Sequence, residues 1–178
     1  MTHFPKAVLP KAVLLVAALG LAACTNANRF GDGQDGPGAG TVAPAPGYAP
    51  GSADDPASVA HFQQRVGDRV LFLVDQSSLT AEGRATLDRQ AEWLLLNSDY
   101  LAVIEGHADE QGTRQYNLAL GARRANAVME YLVSKGVPGS RLKFVSYGKE
   151  RPLEVCSAEA CYAKNRRAVT ILSAGLTG

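Results

Sequence analysis

Asp109 and Arg124 are the residues of this 178-residue chain whose types and spacing could do chemistry together. Asp109 lies in a polar loop, His107-Ala108-Asp109-Glu110-Gln111-Gly112, which the apolar run Leu101-Ala102-Val103-Ile104 leads into through Glu105 and Gly106. Arg124 lies about two turns into the segment of helical periodicity that follows. A carboxylate at a strand end and a guanidinium on a neighbouring helix could grip a ligand bearing both an amine and a carboxylate, through charge-assisted hydrogen bonds. They could equally form a structural ion pair, which contributes little at a surface. Asn117, Gly121 and Arg124 fall at i, i+4 and i+7 and share one helix face. A glycine inside a helix costs roughly 1 kcal/mol against alanine, so Gly121 marks a close approach. Nothing nearby pairs a nucleophile with a base. Asp109 and Glu110 supply the two acids of a glycosidase, but adjacent residues at a strand end point apart. The pattern is that of binding rather than catalysis.

The elements that must position these groups follow from periodicity. Arg69–Val74 reads as a first strand, closed by Asp75-Gln76-Ser77-Ser78. Thr80 is placed to cap a helix running to about Asn97, with Glu82 in its first turn and Leu87, Ala91, Leu94 and Leu95 at helical spacing. Tyr100–Gly106 is a second strand whose apolar run predicts burial on both faces. A second helix runs from about Gln115 to Lys135, with Leu118, Ala125, Val128, Met129 and Leu132 as its core stripe. Gly136 ends it and Pro138 follows. Arg141–Tyr147 predicts a third strand, Glu159–Arg166 a short helix and Ala168–Leu172 a returning strand. The β-α-β-α-β order predicts an α+β sandwich, two main helices packed on one mixed sheet.

The N-terminus reads as a processing segment. Lys6 and Lys11 flank an apolar run, Ala12–Leu21, too short to span a bilayer comfortably. It ends in Leu21-Ala22-Ala23-Cys24, which resembles the lipobox of bacterial lipoproteins; a plain signal peptide with an incidental cysteine is the alternative. The resemblance implies a signal peptide over residues 1–23 and lipidation of Cys24, and several acyl chains anchor stably where one does not. Thr25 rather than Asp follows the cysteine, which by the same resemblance points to the outer membrane. Residues 24–58 are rich in Gly, Pro and Ala and carry too little apolar surface to offset ordering. They read as a tether reaching on the order of 30 Å, ahead of a domain over residues 59–178. Cleavage removes Lys6 and Lys11, leaving 16 Lys and Arg against 17 Asp and Glu. That balance lacks the basic footprint of a nucleic-acid binder. Cys156 and Cys161 remain. Outside the cytoplasm a disulfide between them is expected, with free thiols as the alternative; the C-x4-C spacing suits neither a C-x2-C redox motif nor a zinc site.

Four motifs occur in order: G-H-A-D-E-x-G-T from Gly106, Y-N-x-x-L-G-x-R-R-A-x-A-V from Tyr116, S-Y-G-K-E-x-P from Ser146 and N-R-R-A from Asn165. Together, across about Val66 to Leu172, they resemble the OmpA-like C-terminal domain family. The resemblance implies non-covalent binding of the peptidoglycan stem peptide at the zwitterionic end of meso-diaminopimelate. Asp109 would take its ammonium and Arg124 its carboxylate, bidentately. Asn117, Leu120 and Asp75 would border the same ligand; where the family usually has Phe-Asp, this chain has Val74-Asp75. The resemblance implies no catalysis, no cofactor and no metal. It implies peptidoglycan, TolB and other Tol proteins as partners, with the domain in the periplasm beneath the outer membrane. Asn165-Arg166-Arg167 is expected to brace the fold near the site, and His107 to act as a structural hydrogen bonder. An anchoring lipoprotein outside the Tol system, a cell-wall hydrolase and a redox protein using Cys156 and Cys161 are the alternatives.

Overall fold

The structure is a computed structural model that describes residues 47–174, so the expected signal segment, Cys24 and the greater part of the expected tether lie outside the described residues. The elements in chain order are α1 (Val59–His61) continued by a π-helical turn (Phe62–Gly67), β1 (Arg69–Leu71), α2 (Ala81–Leu96), β2 (Tyr100–His107), α3 (Arg114–Ser134), a 3-10 turn (Gly139–Arg141), β3 (Leu142–Gly148), α4 (Glu159–Asn165) and β4 (Arg167–Ala174). The strands form one mixed sheet in the order β1-β4-β2-β3. β2 and β3 are parallel, Ala102 opposite Leu142 and Ile104 opposite Phe144, because α3 supplies the long crossover that a parallel pair requires. β4 runs antiparallel between β1 and β2, with Arg167 opposite Leu71 and Ala168 opposite Gly106. Residues 165 and 166, just before β4, therefore sit beside the C-terminal ends of β1 and β2. The loops that carry the candidate site all leave the sheet at that edge.

Local chemistry sets the helix bounds. The Thr80 hydroxyl accepts from the Gly83 amide and Thr113 from the Tyr116 amide, capping α2 and α3. Past α3, Gly136 turns the chain at a φ of +99°, a conformation that only glycine adopts freely. The core lies between the helices and one face of the sheet: Leu87, Ala91 and Leu94 from α2, Ala125, Val128 and Leu132 from α3, and Val70, Ala102, Ile104 and Ala168 from the strands.

Four expectations are corrected. The first strand ends at Leu71 rather than Val74, because the Phe72 amide goes to the Arg166 carbonyl at 2.9 Å and the chain then turns, with Asp75 at a φ of +55°. β2 is not buried on both faces: Ala102 and Ile104 are enclosed but Leu101 is 40% exposed, because helices cover one face only. Leu118 stands outside the core stripe of α3, whose buried line is Asn117, Leu120, Gly121, Arg124, Ala125, Val128 and Leu132. The chain is also ordered before Val59. The indole of Trp93 donates to the Pro56 carbonyl at 2.8 Å and the Tyr100 hydroxyl to that of Ala57 at 2.9 Å, pinning the end of the expected tether to α2 and β2.

Candidate functional site

α3 lies unusually close to the sheet where Gly121 crosses Gly106. A Cβ on Gly106 would overlap the Gly121 carbonyl, and one on Gly121 would overlap the Ser146 hydroxyl. This contact is what the in-helix glycine is for. It brings the next turn of α3 down onto the strand end and drives Arg124 into the interior, where it is 0% exposed. There the guanidinium donates Nε to the Gln76 carbonyl at 2.8 Å, Nη1 to His107 at 2.9 Å and Nη2 to Leu73 at 3.1 Å. Its carbon lies 5.2 Å from the centre of the Phe72 ring. Burial lowers its pKa from 12.5 to about 10, with the Asp109 and Asp75 carboxylates opposing that fall and the Arg166 charge adding to it. Arg124 is thus charged at neutral pH and committed to backbone. Arg124 ties the turn after β1 to the end of β2 through these three carbonyls.

Asp109 pairs instead with Arg166. Its Oδ2 accepts from Arg166 Nη1 at 3.1 Å and its Oδ1 from the Gln111 amide at 3.2 Å. The Asp109 side chain retains 12% exposure. Arg166 also donates Nε to the Phe72 carbonyl at 3.3 Å and Nη2 to Glu159. Burial alone would lower the Arg166 pKa, but the Glu159 and Asp109 carboxylates outweigh it and the net direction is upward. The neighbouring Asn165 side chain accepts from the Leu153 and Glu154 amides and donates to the Glu154 carbonyl, which folds the preceding loop.

The other predicted residues divide by role. Asn117 is buried and donates to the Gln111 carbonyl at 2.7 Å, shaping the loop rather than facing outward. Leu120 is buried in α3. Asp75 is exposed and accepts from the Tyr116 hydroxyl at 3.3 Å, which brings an aromatic from α3 to the residue after Val74, itself half exposed. The His107 ring is 1% exposed and neither nitrogen has a hydrogen-bond partner; its carbonyl, not its ring, does the bonding. Loss of water lowers its pKa to about 4, helped by the charges of Arg167 and Arg151. These outweigh an opposing influence of the Arg151 backbone; the Glu105 carboxylate lies 3.6 Å from Nε2. Cys156 and Cys161 form a disulfide. Among the described residues no cluster of three His, Cys, Asp or Glu side chains is arranged to hold a metal.

Chemically, the edge presents a part-open Asp109 and an open Asp75 above two buried guanidiniums, a site for a cationic group with an anionic neighbour. The OmpA family sequence profile matches residues 71–166. Over 168 residues the chain is 51% identical to the peptidoglycan-associated lipoprotein of Mesorhizobium japonicum (strain LMG 29417 / CECT 9101 / MAFF 303099), covering 92% of each. The chain belongs to the peptidoglycan-associated lipoproteins of the OmpA family. The corresponding lipoprotein of Rhizobium meliloti (strain 1021) is 49% identical over 163 residues, covering 92% of this chain and 87% of its own. The crystal structure of the peptidoglycan-associated lipoprotein from Burkholderia pseudomallei matches with a TM-score of 0.60 at 36% identity, covering 67% of this chain and 98% of that one. As a peptidoglycan-associated lipoprotein the chain is an envelope-associated structural protein and not an enzyme. Arg166 stands near the site as the N-R-R-A motif implies, but its pairing with Asp109 and the roles of Glu159 and Tyr116 were not legible in the sequence. Arg166 and Glu159 are 57 and 50 positions from Asp109, and no local pattern announces a partner at that range. Tyr116 lay inside a quoted motif, one residue before Asn117, and its class alone marked it as a candidate wall.

Proposed function

We propose that this lipoprotein, anchored in the outer membrane through acyl chains on Cys24, binds peptidoglycan non-covalently at the meso-diaminopimelate end of the stem peptide. Asp109 carries the reading. Its carboxylate is fixed by Arg166 and the Gln111 amide, yet its side chain keeps 12% exposure. The ligand's ammonium goes to Asp109, with Asp75 and the Tyr116 hydroxyl at its flank. Arg124 supplies positive charge beneath, favouring the ligand's carboxylate over a second cation. Asn117 and Leu120 hold the loop and helix that frame the ligand. The names of its relatives as peptidoglycan-associated agree with this assignment. The tether reaches from the outer membrane toward the wall, with the domain in the periplasm. TolB and other Tol proteins are the protein partners that the motif resemblance assigns, TolB on an overlapping face.

The test is a pull-down on purified sacculi whose stem peptides carry either diaminopimelate or lysine. The wild type retains the first and not the second, and Asp109→Asn binds roughly tenfold or more weakly, the equivalent of one charge-assisted contact. Equal retention on both walls, or an unchanged Asp109→Asn, overturns the assignment.

A further inference from the structure

The short loop closed by the disulfide ends in α4, a helix of seven residues, too short to hold itself. Its N-cap, Ala158, offers no side-chain acceptor. Cys161 is buried in this helix and bonded to Cys156 in the loop before it, so the disulfide fixes the first turn that Asn165 alone would leave tied at the far end. That turn carries Glu159. Its side chain is 67% exposed, and a carboxylate so open to water gains little from an ion pair unless its backbone is held. Here it is held, and it meets both terminal nitrogens of Arg166, Nη2 closely and Nη1 at 3.5 Å. The same Nη1 reaches Asp109 at 3.1 Å.

We propose that Glu159, held by the Cys156–Cys161 disulfide, is a positioning and charge-setting residue for Asp109: it neutralises Arg166 so that Asp109 keeps its negative charge for the ligand's ammonium. Around the site Asp75, Asp109 and Glu159 stand against Arg124 and Arg166, while Glu110 and Lys149, whose Nζ donates to the Glu110 and Gly112 carbonyls, add one charge of each sign at the same loop. Three carboxylates against two guanidiniums leave one negative charge to attract a cation. With Glu159 gone the group is neutral, and Arg166, whose side chain is only 6% exposed, turns its whole charge on Asp109. The inference rests on the ammonium reading of Asp109. The lowered pKa of Glu159, caused by its hydrogen bond to Arg166, agrees with the geometry.

The experiment uses the full chain in detergent and the tripeptide L-alanyl-γ-D-glutamyl-meso-diaminopimelate as probe. Cys156→Ser/Cys161→Ser and Glu159→Gln are each expected to weaken binding by roughly three- to tenfold, part of the worth of one charge-assisted contact. The combined variant should bind no more weakly than Glu159→Gln, because both act through one carboxylate. Thermal denaturation confirms that each variant is folded at the assay temperature. Carbon-13 titration of Glu159 gives a readout independent of ligand: without the disulfide its pKa should return toward the ordinary carboxylate value. Unchanged binding in both variants, additive losses in the combination, or identical Glu159 titration with and without the disulfide overturns the inference alone. A wild type that fails to bind the tripeptide overturns the proposed function; the Glu159 titration then still decides whether the disulfide holds this carboxylate.

Discussion

Arg124→Ala is expected to act on stability before it acts on binding. The guanidinium has no exposure and gives hydrogen bonds to the carbonyls of Leu73, Gln76 and His107. Three bonds from a charged donor contribute roughly 1.5–3 kcal/mol each, so about 5–9 kcal/mol is lost when they go. Against this stands the cost of keeping the charge buried. A pKa lowered from 12.5 to about 10 corresponds to roughly 3 kcal/mol, which the alanine recovers. The net loss is roughly 2–6 kcal/mol, an interval that spans the roughly 3–5 kcal/mol found when one partner is removed from a buried charged pair. Arg124→Lys should recover little of it, because one ammonium cannot reach three carbonyls spread in a fork. Urea unfolding of wild type, Arg124→Ala and Arg124→Lys measures the loss directly. The turn Leu73–Gln76 should become the first region to exchange its amide hydrogens. An Arg124→Ala protein that stays within about 1 kcal/mol of wild type while losing the wall would refute the structural role and return the guanidinium to the ligand.

Two further outcomes follow from burial. His107 is neutral in the fold, with a pKa of about 4 against 6.5 when exposed. The unfolded chain therefore takes up the extra proton between those values, and stability falls by roughly 3 kcal/mol as pH drops through that window. His107→Phe should remove this part of the pH slope in denaturant titrations at pH 4 to 6.5, and parallel slopes for the two proteins would refute the assignment. Gly121→Ala gains helix propensity of about 1 kcal/mol, yet its Cβ would overlap the Ser146 hydroxyl and stand 2.8 Å from the Gly106 carbonyl oxygen. Overpacking of this kind costs roughly 1–3 kcal/mol, so the urea midpoint should fall; an equal or higher midpoint would show that the helix does not need this approach.

What the sequence disclosed and what it withheld divide by the range of the interaction. Caps, turns and amphipathic spacing are local, so Thr80, Gly136 and the bounds of α2 and α3 could be read within a residue or so. Gly121 was legible for the same reason: a glycine in a helix is a local anomaly, and its cause turned out to be one backbone crossing another. The partners of charged groups are not local. Asp109 and Arg124 stood 15 positions apart in consecutive motifs and invited each other as partners. The fold instead gave Asp109 to Arg166 across 57 positions and Arg124 to carbonyls up to 51 positions away. Backbone acceptors carry no signature in a sequence, since every residue has one, so a buried arginine satisfied by carbonyls looks there like an arginine awaiting an anion. That is also why the site's charge must be counted in three dimensions. Asp109 with Arg166 alone is a neutral pair, and only Glu159, brought in by a short helix with a disulfide at its start, leaves a carboxylate with charge to spare.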